Sequence, residues 1–225
     1  MIIRKARYAP MVQAEKAEKQ GSRAGAREDL ERAIIDAAER VFAEAGFGGA
    51  TMQAIADRCG LPKANLHYYF ASKQQLYRRV VERIFHVWLE AADSFESSAT
   101  PEVALRRYIT RKMELSRTHR FGSKVWANEV MHGAPIIQDF LETTLRDWTE
   151  SRARVIRRWI AAGSVRPVDP HWLLYMIWAT TQHYADFAHQ IETLNQGPLT
   201  DAQWDEATDT VCAIILRGIG LEGKA

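Results

Sequence analysis

An all-α fold is predicted, on three observations. Apolar residues recur at three- and four-residue spacing through most of the chain, as one face of a helix requires. No stretch shows the strict apolar–polar alternation of a half-buried strand. The interruptions fall at Gly and Pro clusters, where helices stop and turns form. Three short helices and then a larger bundle of longer ones are expected.

The first helix runs from Glu28, where Leu30, Ile34, Ala37, Val41 and Ala45 form one stripe that Ala38 and Phe42 widen. Gly46 stops it, and Gly48 and Gly49 supply a turn. Thr51 is a natural N-cap for TMQAIADRC, which turns Met52, Ile55, Ala56 and Cys59 inward and ends at Gly60. Pro62 suits the first turn of a third helix, because its missing N–H leaves nothing unpaired there. Ser72 and Gln75 form a capping box for a long helix over 72–92 that buries Leu76, Val80, Ile84, Val87 and Trp88. Further helices are expected at 101–118, 122–131, 135–162, 170–195 and 201–219. GAP at 133–135, GSVRPVDP at 163–170 and NQGPLT at 195–200 separate the last of them.

With 225 residues, 47% hydrophobic and 26% charged, the chain has an ordinary globular composition and enough length for a sizeable core. No apolar run approaches the roughly 20 residues of a membrane span. MIIRKARYAP lacks the apolar core of a signal peptide, so a cytoplasmic protein without membrane partners is expected. Cys59 and Cys212 stand alone, without metal-ligand spacing, so neither a disulfide framework nor a metal site is expected, and no motif calls for a cofactor. Net charge is only +2, but residues 1–27 carry Arg4, Lys5, Arg7, Lys16, Lys19, Arg23 and Arg27 against Glu15 and Glu18. That stretch reads either as a solvated tail or as a flexible basic arm adding phosphate contacts.

Two short helices joined by ADRCGLPKAN fit a helix-turn-helix, whose last helix enters the DNA major groove. PKANLHYYF (62–70) then acquires a purpose. Lys63 can meet phosphate or guanine, Asn65 and His67 are sized for base edges, and Ala64 lies beside them. Tyr68 and Tyr69 offer phenolic hydrogen bonds to phosphates, Leu66 and Phe70 anchor the helix inward, and Lys73 lies within phosphate reach. Thr51, at the amide-rich start of its helix, adds another phosphate site. His67 reads as well as a solvated surface histidine, and Tyr68 and Tyr69 as packing residues.

Over about 40 residues the run AERVFAEAGFGGATMQAIADRCGLPKANLHYYFASKQQLY resembles the DNA-binding domain of the TetR family. Phe42, Gly46, Phe47, Thr51, Ile55, Ala56, Gly60, Leu66, Tyr68, Tyr69, Phe70, Lys73 and Leu76 fill its pattern. Pro62 departs from it, standing where a small hydroxyl residue is frequent. The resemblance implies a transcriptional regulator, a repressor by default, that binds palindromic double-stranded operator DNA as a homodimer and responds to a small molecule. It implies a regulator rather than an enzyme. The domain expectation is a basic arm at 1–27, the DNA-binding domain at 28–75 and an effector-binding and dimerisation domain at 76–225.

VWANEVMHGAP (125–135) and RPVDPHWLLYMIWATTQHYADFAHQ (166–190) resemble a pyrimidine-sensing branch of that family, in which the effector is uracil or thymine. FGSK at 121–124 departs from the branch. Trp178 and Gln182, four apart, share a helix face. A flat indole beside an amide that both donates and accepts suits a small planar ring bearing N–H and C=O groups. Trp88 can form the opposite wall, a place the resemblance also assigns it, and Trp126, Asn128 and Glu129 can complete the polar contacts. Each tryptophan also reads as plain core, and Glu129 as a buried carboxylate paired with an arginine. A lipophilic drug or acyl compound is the alternative effector. A small helical enzyme using Glu129, His132, His183 or Asp186 as acid or base is the alternative class. The long fourth helix, through movement of Trp88, is the expected lever between ligand and DNA. Leu173, Leu174, Met176 and Ile177, with Val211, Ile214, Ile215 and Ile219, exceed one core face, as a four-helix dimer interface would require.

Overall fold

The computed structural model describes the backbone of residues 9–92, 95 and 100–221, and side chains from residue 25 onward. Among the described residues the fold is all-helical, without strands. The chain divides into two compact units between Tyr77 and Arg78.

In the first unit, α1 (Ala9–Gly49) precedes α2 (Met52–Cys59) and α3 (Lys63–Tyr69), and α4 (Lys73–Glu90) begins. The α1 backbone thus starts 19 residues before the expected Glu28. The physical reason lies in MVQAEKAEKQ, which is made almost wholly of good helix formers and contains no breaker. Residues 1–8 of the basic arm lie outside the described residues. Gly46 breaks α1 as expected, at φ 66° and ψ 173°, a backbone region essentially closed to other residues. Gly60 closes α2 at φ 67°, with the N–H of Gly60 donating to Asp57 O and that of Leu61 to Ala56 O, the paired bonds of a Schellman cap.

Ile34, Ala38, Phe42, Ile55, Ala56, Leu66, Phe70 and Leu76 are buried and form the core of this unit. The Tyr77 ring meets Phe42 and Phe47 edge-on at 4.9 and 5.0 Å. A two-pronged ion pair from Arg58 to Glu44, both contacts 2.7 Å, ties α2 to α1. Two local readings need correction. Pro62 is the N-cap of α3, not its first helical residue, and its φ of −58° suits either place. Ser72 Oγ does accept from the Gln75 N–H at 3.1 Å, but the Gln75 side chain reaches the Ala71 N–H, so the capping box is not closed on Ser72.

The second unit contains α5 (Pro101–Thr118), α6 (Arg120–Met131), α7 (Gln138–Phe140), a π-helical stretch (Leu141–Leu145), α8 (Arg146–Ala161), α9 (Pro170–Asp186), α10 (Ala188–Leu194) and α11 (Asp201–Gly218). The expected helix over 135–162 is therefore interrupted by a stretch of wider turns, and that over 170–195 breaks at Phe187. Asp169 caps α9 by accepting from the His171 N–H at 2.8 Å, and Thr200 with Gln203 makes a full capping box for α11. Leu105, Ile109, Leu173, Leu174, Ile177, Val211, Ile215 and Leu216 pack the core between α5, α9 and α11. Of the residues expected to serve both core and dimer, Met176 and Ile214 point outward and are exposed, together with Trp172 and Tyr175.

Candidate functional site

In the first unit, α3 separates its two faces as its sequence requires. Leu66 and Phe70 are buried, while Lys63, Ala64, Asn65, His67 and Tyr68 are exposed and Tyr69 is half-buried. Tyr68 keeps 72% of its surface, and its ring meets Tyr69 edge-on at 5.3 Å. The Arg27 guanidinium lies 5.7 Å from the Tyr68 ring and 6.0 Å from that of Tyr69. The end of the basic stretch therefore stands on the α3 surface, a placement that no spacing rule foretells. Thr51 is exposed and its hydroxyl oxygen accepts from the Ala54 N–H at 3.0 Å, leaving its own O–H free to donate outward.

Lys73 differs from its expected place. Its ammonium donates to Phe47 O at 2.6 Å and Ala50 O at 2.9 Å, and lies 4.5 Å from the Phe47 ring. Two of its three N–H groups thus close carbonyls at the end of α1, and at most one remains for a phosphate.

In the second unit a cavity of about 210 Å³ is lined by Phe85, Trp88 and Leu89 of α4, Lys112 of α5, and Trp126 and Val130 of α6. Leu141 and Leu145 of the π-helical stretch, Trp148 of α8, and Trp178 and Gln182 of α9 complete it. Trp88 and Trp126 meet edge-on at 5.4 Å, Phe85 stacks on Trp126 at 5.5 Å, and Trp148 and Trp178 lie 6.1 Å apart. The Trp178 Nε1–H donates to the buried Tyr108 hydroxyl at 2.8 Å, which fixes the indole in the cavity wall. Burial pushes the Tyr108 phenol up, so it stays protonated.

Four expected ligand residues, Trp88, Trp126, Trp178 and Gln182, are brought together here. Asn128 and Glu129 are not among the lining residues. Glu129 is buried, its Oε1 accepts from the Ile136 N–H at 2.7 Å, and its carbonyl accepts from the Ala134 N–H at 2.9 Å. It fastens the GAP turn rather than facing the cavity or pairing with an arginine. The Asn128 carbonyl accepts from His132 Nδ1 at 2.7 Å, which closes the same corner. Sequence reasoning missed Trp148 and Lys112. Trp148 gives no signal beyond an aromatic on a helix. Lys112 does give one, since it occupies the inward stripe Leu105–Ile109–Lys112–Ser116, where a cation is out of place.

Residues 34–80 match the sequence profile of "Bacterial regulatory proteins, tetR family", and residues 81–222 that of "YcdC-like protein, C-terminal region". Over 200 residues the chain is 36% identical to the HTH-type transcriptional regulator RutR of Escherichia coli (strain K12), covering 88% of this chain and 94% of that one. The chain belongs to the TetR family. This TetR-family protein is a DNA-binding, ligand-responsive transcriptional regulator, and its relatives are regulators rather than enzymes. Its fold is shared with the ketosteroid transcriptional regulator KstR2 of Mycobacterium tuberculosis, with a TM-score of 0.66, 22% identity, and 84% and 94% of the two chains covered. It is also shared with AibR solved with isovaleryl coenzyme A and operator DNA, with a TM-score of 0.65, 20% identity, and 82% and 97% covered. Among the described residues of this TetR-family chain, no helix is long and apolar enough to cross a membrane.

Proposed function

We propose that this regulator is a repressor that binds a palindromic operator as a homodimer and is released by a small planar effector of the pyrimidine class, such as uracil or thymine. The observation that carries the effector reading is the cavity itself. At about 210 Å³ it is smaller than the roughly 300–1,000 Å³ typical of drug-sized ligands, and indoles line it from four helices. Gln182 presents an amide to it, a donor and an acceptor side by side, the complement of a ring edge with N–H and C=O. The resemblance of residues 125–135 and 166–190 to the pyrimidine-sensing branch supports the same choice. A lipophilic or acyl effector is favoured by the apolar walls but needs more room.

On the DNA side, Lys63, Ala64, Asn65, His67, Tyr68 and Tyr69 are proposed to meet the major groove and its flanking phosphates. Thr51 is proposed to add a phosphate contact, and Lys73 to act from behind, by holding the end of α1 through its bonds to Phe47 O and Ala50 O. The exposed Trp172, Tyr175, Met176 and Ile214 are proposed to face the second copy. Ligand preference for one of two states would shift the dimer between operator-competent and incompetent forms, with Trp88 as the lever.

The test is titration of the purified protein with a palindromic promoter fragment, followed by uracil or thymine. Binding that weakens steeply with salt and is reversed by either pyrimidine is expected. Operator binding indifferent to both pyrimidines, with no heat of binding for either, would refute the effector; absence of any DNA complex would refute the recognition surface.

A further inference from the structure

Lys112 is a charged side chain 3% exposed, on the inward stripe of α5, with its ammonium at the wall of the cavity. It lies 4.6 Å from the Trp88 ring centroid, and among the described residues it makes no hydrogen bond or ion pair. A buried cation without an acceptor is strongly disfavoured unless something supplies one. The charged group that acts on it is Asp186, from α9, whose carboxylate accepts from Ser123 Oγ at 2.6 Å and is influenced by His183 on the same helix. Its cavity neighbours from α4, α6, α8 and the π-helical stretch (Trp88, Trp126, Trp148, Leu141, Leu145) are uncharged. Burial dominates over Asp186 and lowers Lys112 to about 7, which places its titration at neutral pH.

We propose that Lys112 is the specificity-determining residue of the cavity: it receives an electron-rich oxygen of an acidic planar ring, and binding draws a proton from solvent onto its amine. The proposal rests on the reading of this cavity as the effector site and specifies the chemistry of the effector. The ring must place an imide, enolate or carboxylate oxygen opposite Lys112 while a neighbouring edge meets the Gln182 amide. Cationic rings are rejected, because they would set two like charges together in a site walled by indoles. The step balances simply, in that a neutral amine plus one solvent proton becomes an ammonium that donates to the ligand oxygen. No other bond changes.

The experiment is calorimetry on the full chain in phosphate and in Tris at pH 7 and 8, with uracil, thymine, benzoate and benzamidinium as probes. The difference in heat between the buffers counts protons taken up. Wild type is expected to take up about half a proton at pH 7 and nearly one at pH 8, with affinity falling up to about tenfold per pH unit above 7. Lys112→Met is expected to lose the uptake and to bind at least about tenfold more weakly at pH 7. Lys112→Gln keeps a donor that does not titrate, and is expected to recover part of the affinity but none of the uptake. Thermal unfolding of both variants checks that they fold.

Pyrimidine binding without proton uptake, or uptake that persists in either variant, overturns the proposal and leaves the pyrimidine reading standing. Benzoate binding with Lys112-dependent uptake while both pyrimidines are silent does the reverse. Preferential binding of benzamidinium, or silence with all four probes, overturns both.

Discussion

Replacing Lys73 with methionine separates a structural role from a DNA contact. The side chain keeps its length and loses the ammonium that donates to Phe47 O and Ala50 O at 2.6 and 2.9 Å. Hydrogen bonds from a charged donor contribute about 1.5–3 kcal/mol each. Lys73 is half-buried, so water can reach part of what is vacated and the lower end applies. Two bonds at that level and a ring contact with Phe47 of about 0.5–1 kcal/mol give a loss of about 3.5–4 kcal/mol. That is a large share of the roughly 5–15 kcal/mol by which a domain is stable. The assay is native-state amide hydrogen exchange in α2 and α3, where Ile55 and Leu66 are fully buried. Protection of their amides should fall by between about two and three orders of magnitude. At 10 °C, where the variant remains folded, the slope of log affinity against log salt for operator DNA should stay unchanged. Exchange altered by less than about tenfold would refute the structural role, and a slope reduced by about 0.9 would show that Lys73 neutralises a phosphate instead.

Three further outcomes are expected. Gly46→Ala meets nothing within 4 Å of the added methyl, so its cost is purely that of holding φ 66° and ψ 173°, about 1–3 kcal/mol in urea unfolding. Tyr108→Phe leaves the Trp178 indole N–H without its 2.8 Å acceptor and should cost about 1–2 kcal/mol, with red-shifted or broadened tryptophan emission. Lys112 has a folded pKa of about 7, below its unfolded value, so between those two values the unfolded chain binds more protons and stability rises with pH. From pH 7 to 9 its contribution grows by roughly 2 kcal/mol. Lys112→Met should be the more stable protein at pH 7 and should lack that rise when both are unfolded in urea across the range.

Much of this was legible in residue order because it rests on local rules. Gly46 and Gly60 mark backbone that other residues avoid, Thr51 and Thr200 cap helices through their own hydroxyls, and Leu66 and Phe70 fall on one face of α3. Trp178 and Gln182 share a helix face by spacing alone, and Trp88 and Trp126 meet them in the cavity wall. What stayed hidden depends on long-range placement. The partners of Lys73 lie 26 and 23 residues earlier in the chain, and whether a lysine turns to solvent or to a carbonyl is decided there. Glu129 looks like a pocket carboxylate until the GAP turn folds back onto it. The wider turns at Leu141–Leu145 have no periodic signature in five residues, yet they bring Leu141 and Leu145 to the cavity. Lys112 was visible as a cation on an apolar stripe; its meaning came only with the cavity whose wall it joins.

The placement of the indoles makes the protein its own optical instrument. All seven tryptophans lie after residue 77, and four of them, Trp88, Trp126, Trp148 and Trp178, form the cavity wall. Intrinsic emission excited at the indole band therefore reports the second unit and above all its cavity, while amide exchange in α2 and α3 reports the helix-turn-helix. Filling the cavity and engaging DNA can be followed separately in one unlabelled sample, and a protonated Lys112 beside Trp88 gives the first of those signals a built-in sensitivity to charge.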